Sequence, residues 1–81
     1  MEMDVYPIPA SDLLNITLTG TEYFDDIRYE LLDLSGKSLV VQEAKGITTE
    51  LNTSVYSSGI YLIKAFQGNT LLAAKRIIIS H

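Results

Sequence analysis

Apolar residues in this chain return at every second position, not every third or fourth. In "LLNITLT" (residues 13–19), Leu14, Ile16 and Leu18 share one face and Asn15, Thr17 and Thr19 the other. Period two is the signature of an extended strand with one face buried; a helix needs 3.6. The pattern recurs. In "IRYELLD", Tyr29 and Leu31 oppose Arg28 and Glu30; in "GITTELN", Ile47, Thr49 and Leu51 oppose Thr48 and Glu50. "KSLVVQE" is short and β-branched, and "GIYLIKAF" is apolar on both faces, as a central strand is. "TLLAAKRIIIS" reads as a long final strand.

Turn residues separate these runs. In Asp33-Leu34-Ser35-Gly36-Lys37 the Asp starts a turn and the Gly tolerates positive φ. Gln67-Gly68-Asn69 reads as a tight hairpin, and Lys45-Gly46 and Ser57-Ser58-Gly59 also punctuate. Residues 22–26 read as a loop, and "TSVYSSG" as a single irregular or helical turn. Short strands spaced by about 8–12 residues predict an all-β fold, a small immunoglobulin-like antiparallel β-sandwich of about seven strands.

The opening "VYPIPASDLLNITL" carries Pro7 and Pro9. Proline lacks an amide donor and sits at sheet edges, strand starts and bulges. The stretch is expected to be an edge segment that bends at Ala10, Ser11 and Asp12 and crosses to the strand beginning at Leu13. Missing donors also make it a poor template for a foreign strand. Residues 1–4 read as a linker remnant or an added start, residues 5–81 as the domain, and the chain as a piece of something longer.

A chain of 81 residues makes one domain with a modest core. It has no cysteine, which excludes disulfides and thiolate metal sites. The net charge is −4 and the only basic pair is Lys75-Arg76, against the clustered positive charge that nucleic acids and anionic membranes require. No apolar run approaches the ~20 residues of a membrane-spanning helix. The start "MEMDVYP" shows no basic and apolar leader pattern, so no signal peptide is expected within it.

Catalytic chemistry finds no set of residues. His81 is the sole histidine and the last residue, read as a solvated end. No serine stands in a Gly-x-Ser-x-Gly elbow, and the five glycines are too scattered to cradle phosphate. Glu22, Asp25 and Asp26 lack the alternating oxygen ligands of a calcium loop and read as solvated. Asn15-Ile16-Thr17 and Asn52-Thr53-Ser54 match the glycosylation pattern, which is common by chance. Lys64, Lys75 and Arg76 are expected on exposed faces, and Tyr61 and Phe66 on opposite faces of one strand. No enzyme activity, cofactor, metal or small-molecule substrate is expected.

Four segments in order carry a resemblance: "VYPIPASDLLNI", "YELLDLSGK", "YSSGIYLIKAF" and "KRIIISH". Together they resemble a C-terminal sorting domain of the type IX (Por) secretion system. The matching positions are Pro7, Pro9 and Ala10 in the opening segment, then Asp33, Gly36 and Lys37 in the turn, Gly59 and Tyr61 in the late strand, and Lys75 with Ile77, Ile78 and Ile79 at the end. Two positions depart: Ile8 stands where the family more often has Asn, and His81 extends past the usual ending.

The resemblance implies a non-catalytic address label at the C-terminus of an exported cargo in Gram-negative bacteria. It implies transit through the periplasm, recognition by an outer-membrane translocon, and removal by a cell-surface sortase that joins the cargo to a lipopolysaccharide anchor. Lys75, Arg76, Ile77, Ile78 and Ile79 are the expected recognition surface. Gly59 is expected to supply a backbone conformation or close approach that a side chain would block. Tyr61 is expected to bury its ring while its hydroxyl finds a partner. Pro7, Pro9, Asp33, Gly36 and Lys37 are expected to serve the fold. Exposed strand edges leave room for weak pairing of two copies.

The rival reading is a fibronectin- or immunoglobulin-like spacer or adhesion module of a larger surface protein, since fold does not fix function. A carbohydrate-binding module is a third reading. It lacks Trp, and would need Tyr6, Tyr23 and Tyr56 exposed together on one face.

Overall fold

The computed structural model describes residues 1–21 and 23–81. Glu22, named above in the acidic loop, lies outside the described residues. Seven strands follow in order: β1 (Glu2–Tyr6), β2 (Leu13–Thr19), β3 (Ile27–Asp33), β4 (Ser38–Glu43), β5 (Thr48–Asn52), β6 (Gly59–Gln67) and β7 (Thr70–Ile79). They form two antiparallel sheets, one ordered β1-β2-β5 and the other β4-β3-β6-β7.

The period-two faces meet between the sheets. Leu14, Ile16 and Leu18 of β2 and Leu51 of β5 pack from one side. Ile27, Tyr29 and Leu31 of β3, Tyr61, Ile63 and Ala65 of β6, and Ile77 and Ile79 of β7 pack from the other. Burying each of the larger side chains contributes about 1.5–3 kcal/mol, and this layer stabilises a domain that has no cross-links. The run "GIYLIKAF" does become the central strand, with β3 on one side and β7 on the other. The β6–β7 hairpin turns on Gly68 and Asn69, with Gly68 at φ +58°.

Two expectations shift. Residues 1–4 are not a free lead-in: β1 begins at Glu2, and Met3 is buried in the core beside Val5. The edge strand therefore precedes the prolines, because Pro7 has no N–H with which to extend the ladder beyond Tyr6. Ile47 does not share the face of Thr49 and Leu51. It precedes β5 and is exposed, and its carbonyl accepts the Leu18 N–H at 2.9 Å. The stretch "TSVYSSG" holds the single irregular turn expected of it: Tyr56 N–H donates to Thr53 O at 3.2 Å.

The connection from Tyr6 to Leu13 joins two neighbouring strands of one sheet and touches the other sheet at Ala10. Ala10 is fully buried and forms a parallel bridge to Ile79. Its N–H donates to Ile78 O and its carbonyl accepts from Ser80 N–H, both at 2.8 Å. Thr53 fastens the same corner, donating from Oγ1 to Ser11 O at 2.8 Å and from its N–H to Asp12 O at 2.9 Å.

Candidate recognition site

The residues singled out in the sequence occupy one sandwich but play separate parts. In the turn after β3, Asp33 Oδ1 accepts from Ser35 Oγ at 2.6 Å, Ser35 N–H at 2.9 Å and Lys37 N–H at 3.0 Å. The Ser35 hydroxyl foremost, then the Lys37 amide, hold this carboxyl below its usual range. Gly36 sits at φ +91°, in the left-handed region, and its N–H donates to Asp33 O at 3.0 Å. This is a backbone-building carboxylate, with one oxygen, Oδ1, given to its own loop.

Tyr61 buries its ring in the core, and its hydroxyl donates to Ser57 O at 2.6 Å. Tyr56 packs on it with ring centroids 6.3 Å apart. Gly59 does not play the part expected of it. Its backbone is outside the left-handed region, and an added Cβ would stand 3.8 Å from Tyr61 Cε2, an ordinary contact.

The terminal segment divides sharply. Ile77 and Ile79 are 0% and 1% exposed and belong to the core, so they are not available to a partner as a surface. Alternation along β7 turns Ile78 outward, 43% exposed. Lys75 points to the sandwich rim, where Nζ lies 3.8 Å from Asp4 Oδ1 of β1. Both side chains are half exposed, so this pair contributes at most about 1 kcal/mol. Arg76 is exposed and has no carboxylate within ion-pair distance among the described residues. His81 is more tied than a solvated end would be: its N–H donates to Ser58 Oγ at 3.1 Å, and its Nε2 lies 2.7 Å from Tyr56 O.

Other candidates disperse. Among the described residues, no three His, Cys, Asp or Glu side chains gather as a metal site. The exposed tyrosines form no platform. Tyr6 lies on the outer face of the three-stranded sheet with its hydroxyl 3.0 Å from Thr17 Oγ1, Tyr56 packs on Tyr61, and Tyr23 lies in the β2–β3 loop at the opposite end. Asn52 Oδ1 accepts from Ser54 N–H at 2.9 Å and Ser54 Oγ at 2.7 Å, so that motif builds a turn.

The model of the secretion system C-terminal sorting domain matches residues 4–80. This chain belongs to that family. Comparison with curated proteins and with solved structures finds no match. The family model spans all four motif segments except the final His81, from the proline corner past the end of β7. A type IX sorting domain acts as a signal within a cargo and meets the secretion machinery, which takes the cargo to the cell surface or beyond. Sequence reasoning missed two outward residues of this sorting domain, Ile60 and Leu62. Their signal was present: the run apolar on both faces marks a central strand, but it also leaves apolar side chains on the outer surface.

Proposed function

We propose that this sorting domain is a non-catalytic address label, read while folded by an outer-membrane translocon after passage through the periplasm. A sortase at the cell surface then cuts before the domain and joins the cargo to a lipopolysaccharide anchor. The family match carries this reading. The architecture supports it. β1 starts where Glu2 pairs with Thr19, whereas β7 finishes where Ile79 pairs with Gly59, at the opposite end of the sheets. A cargo joined ahead of Met1 therefore leaves the far end, with Arg76 and Ile78, free to be read. No nucleic acid, cofactor or small-molecule substrate enters this account.

We also read the sandwich as immunoglobulin-like. A three-strand sheet of first, second and fifth strands faces a sheet in which the third and sixth are central, and the Tyr61–Ser57 bond has the geometry of a tyrosine corner. Ends at opposite poles also suit a spacer module, and one experiment separates the two. A periplasm-targeted fluorescent protein is fused to residues 1–81, beside the same protein without them, in a cell with the type IX machinery. The sorting reading expects surface or released fluorescence only with the domain, and a cut before it detectable by mass spectrometry. Fluorescence retained in the periplasm by both proteins would favour the spacer.

A further inference from the structure

The core accounts for the inward half of each motif strand, but not for a set of apolar side chains on the opposite face. Alternation turns Ile60 and Leu62 of β6 and Ile78 of β7 outward, and Leu32 of β3 lies outside the core cluster. The register joins them. Ile60 faces Ile78, and Leu62 has Leu32 on one side and Arg76 on the other. Side chains directly opposite in an antiparallel pair lie about 4.5–5.5 Å apart at Cβ. Ile60, Ile78 and the partly exposed Leu62 thus form one continuous surface, with Ile60 and Ile78 each 43% exposed, while Leu32, only 7% exposed, adds no surface of its own. Isolated exposed aliphatics need no explanation, but a contiguous set marks an interaction site. The strands themselves do not require it, since Thr suits an outward β position equally well.

Charge indicates what fits there. Arg76 borders the patch and has no ion pair among the described residues. The carboxylates of this face, Glu30 and Glu43, lie further along the sheet, opposite Lys64 and Arg28. The outer face of the other sheet carries Glu2, Asp4 and Glu50 and no Lys or Arg. An acidic partner is therefore steered to the Arg76 face and away from the other. A second copy would present the same patch, with Arg76 and no carboxylate, so it does not supply the charge that Arg76 lacks.

We propose that Ile60, Leu62, Ile78 and Arg76 form the docking surface of this sorting domain, for a translocon component that presents an aliphatic surface with a carboxylate opposite Arg76. The inference rests on the sorting reading and names its site. Two motif segments converge on it, one from each of β6 and β7, at the end away from Met1.

The test uses the fluorescent reporter carrying residues 1–81 with Ile60→Thr/Ile78→Thr, Arg76→Glu or Arg76→Lys. Ile47→Thr/Val55→Thr serves as a comparison, because Ile47 and Val55 are exposed elsewhere. Each chain is also melted, and melting close to wild type is expected because the changed positions are exposed. Exported reporter should fall at least about tenfold for Ile60→Thr/Ile78→Thr and for Arg76→Glu, as when interface hot spots are removed. It should persist with Arg76→Lys and with the comparison pair. Wild-type export by Arg76→Glu and by a folded Ile60→Thr/Ile78→Thr overturns the docking surface while leaving the sorting reading intact. If Ile60→Thr/Ile78→Thr fails to fold, Arg76→Glu decides. A concentration-dependent dimer of the wild type that Ile60→Thr/Ile78→Thr dissolves without loss of export assigns the patch to a second copy and also overturns the proposal. A wild-type reporter that stays in the periplasm overturns both readings together.

Discussion

Tyr29 is the largest fully buried side chain, and its hydroxyl has no hydrogen-bond partner among the described residues. A buried unpaired hydroxyl costs about 1–3 kcal/mol. Tyr29→Phe should therefore leave stability unchanged or raise it, measured by urea unfolding; a loss above about 2 kcal/mol would show that the hydroxyl is satisfied. Burial also raises the Tyr29 pKa. Its contribution to stability is fully present below about pH 10, the unfolded value, and is lost as pH rises from there through the folded value. Tyr29→Phe should remove that part of the alkaline loss, read from melting curves across this range. Tyr61 differs, because its hydroxyl is bonded. Tyr61→Phe should cost about 1 kcal/mol, and Tyr61→Ala about 3–5 kcal/mol for the lost ring. A Tyr61→Ala variant melting with wild type would contradict the burial. The role of Tyr61 was legible in the sequence because a Tyr amid alternating apolar residues must bury its ring and satisfy its hydroxyl. The unsatisfied Tyr29 was not, because the same pattern hides whether a partner reaches it.

At the scale of elements, the two motif glycines separate. Gly36→Ala forces a side chain into the left-handed region at φ +91° and should cost about 1–2 kcal/mol, whereas Gly59→Ala meets only ordinary contact and should be close to neutral. Denaturant midpoints of the two variants check this, and equal losses would contradict it. The Asp33 turn adds an acid limit. Because the folded pKa is lowered, the stabilisation is fully present above about pH 4 and fades as pH falls through the folded value. Asp33→Asn should flatten that decline in an acid titration followed by circular dichroism. Strands and hairpins were readable from alternation and turn residues. Two bulges were not: the registers skip Leu39 on β4 and Leu72 on β7. Three successive isoleucines carry no contrast between polar and apolar positions, so Ile77, Ile78 and Ile79 read in the sequence as one surface. The packing of β7 over the opposite sheet decides that Ile77 and Ile79 point in.

For the whole molecule, the sandwich was legible because nearly every run has one apolar face and no run has helical period. The closure was not. Ala10 holds the end of β7 through a buried bridge between segments far apart in sequence, and only the folded chain brings them together. Removing residues 77–81 should therefore unfold the domain, since it deletes two core isoleucines and the partner of Ala10; losses of about 2–5 kcal/mol per large aliphatic approach the whole stability of a small domain. Loss of the circular dichroism transition checks this. It also means that a truncated terminus cannot by itself separate recognition from folding, whereas surface substitutions can. The central claim is that the folded domain addresses its cargo to the type IX machinery. The most direct measurement is the location of a reporter carrying residues 1–81 in two otherwise identical cells, one with the outer-membrane translocon and one without it. The account predicts reporter at the surface or in the medium in the first and trapped in the periplasm in the second. The same distribution in both cells would contradict it.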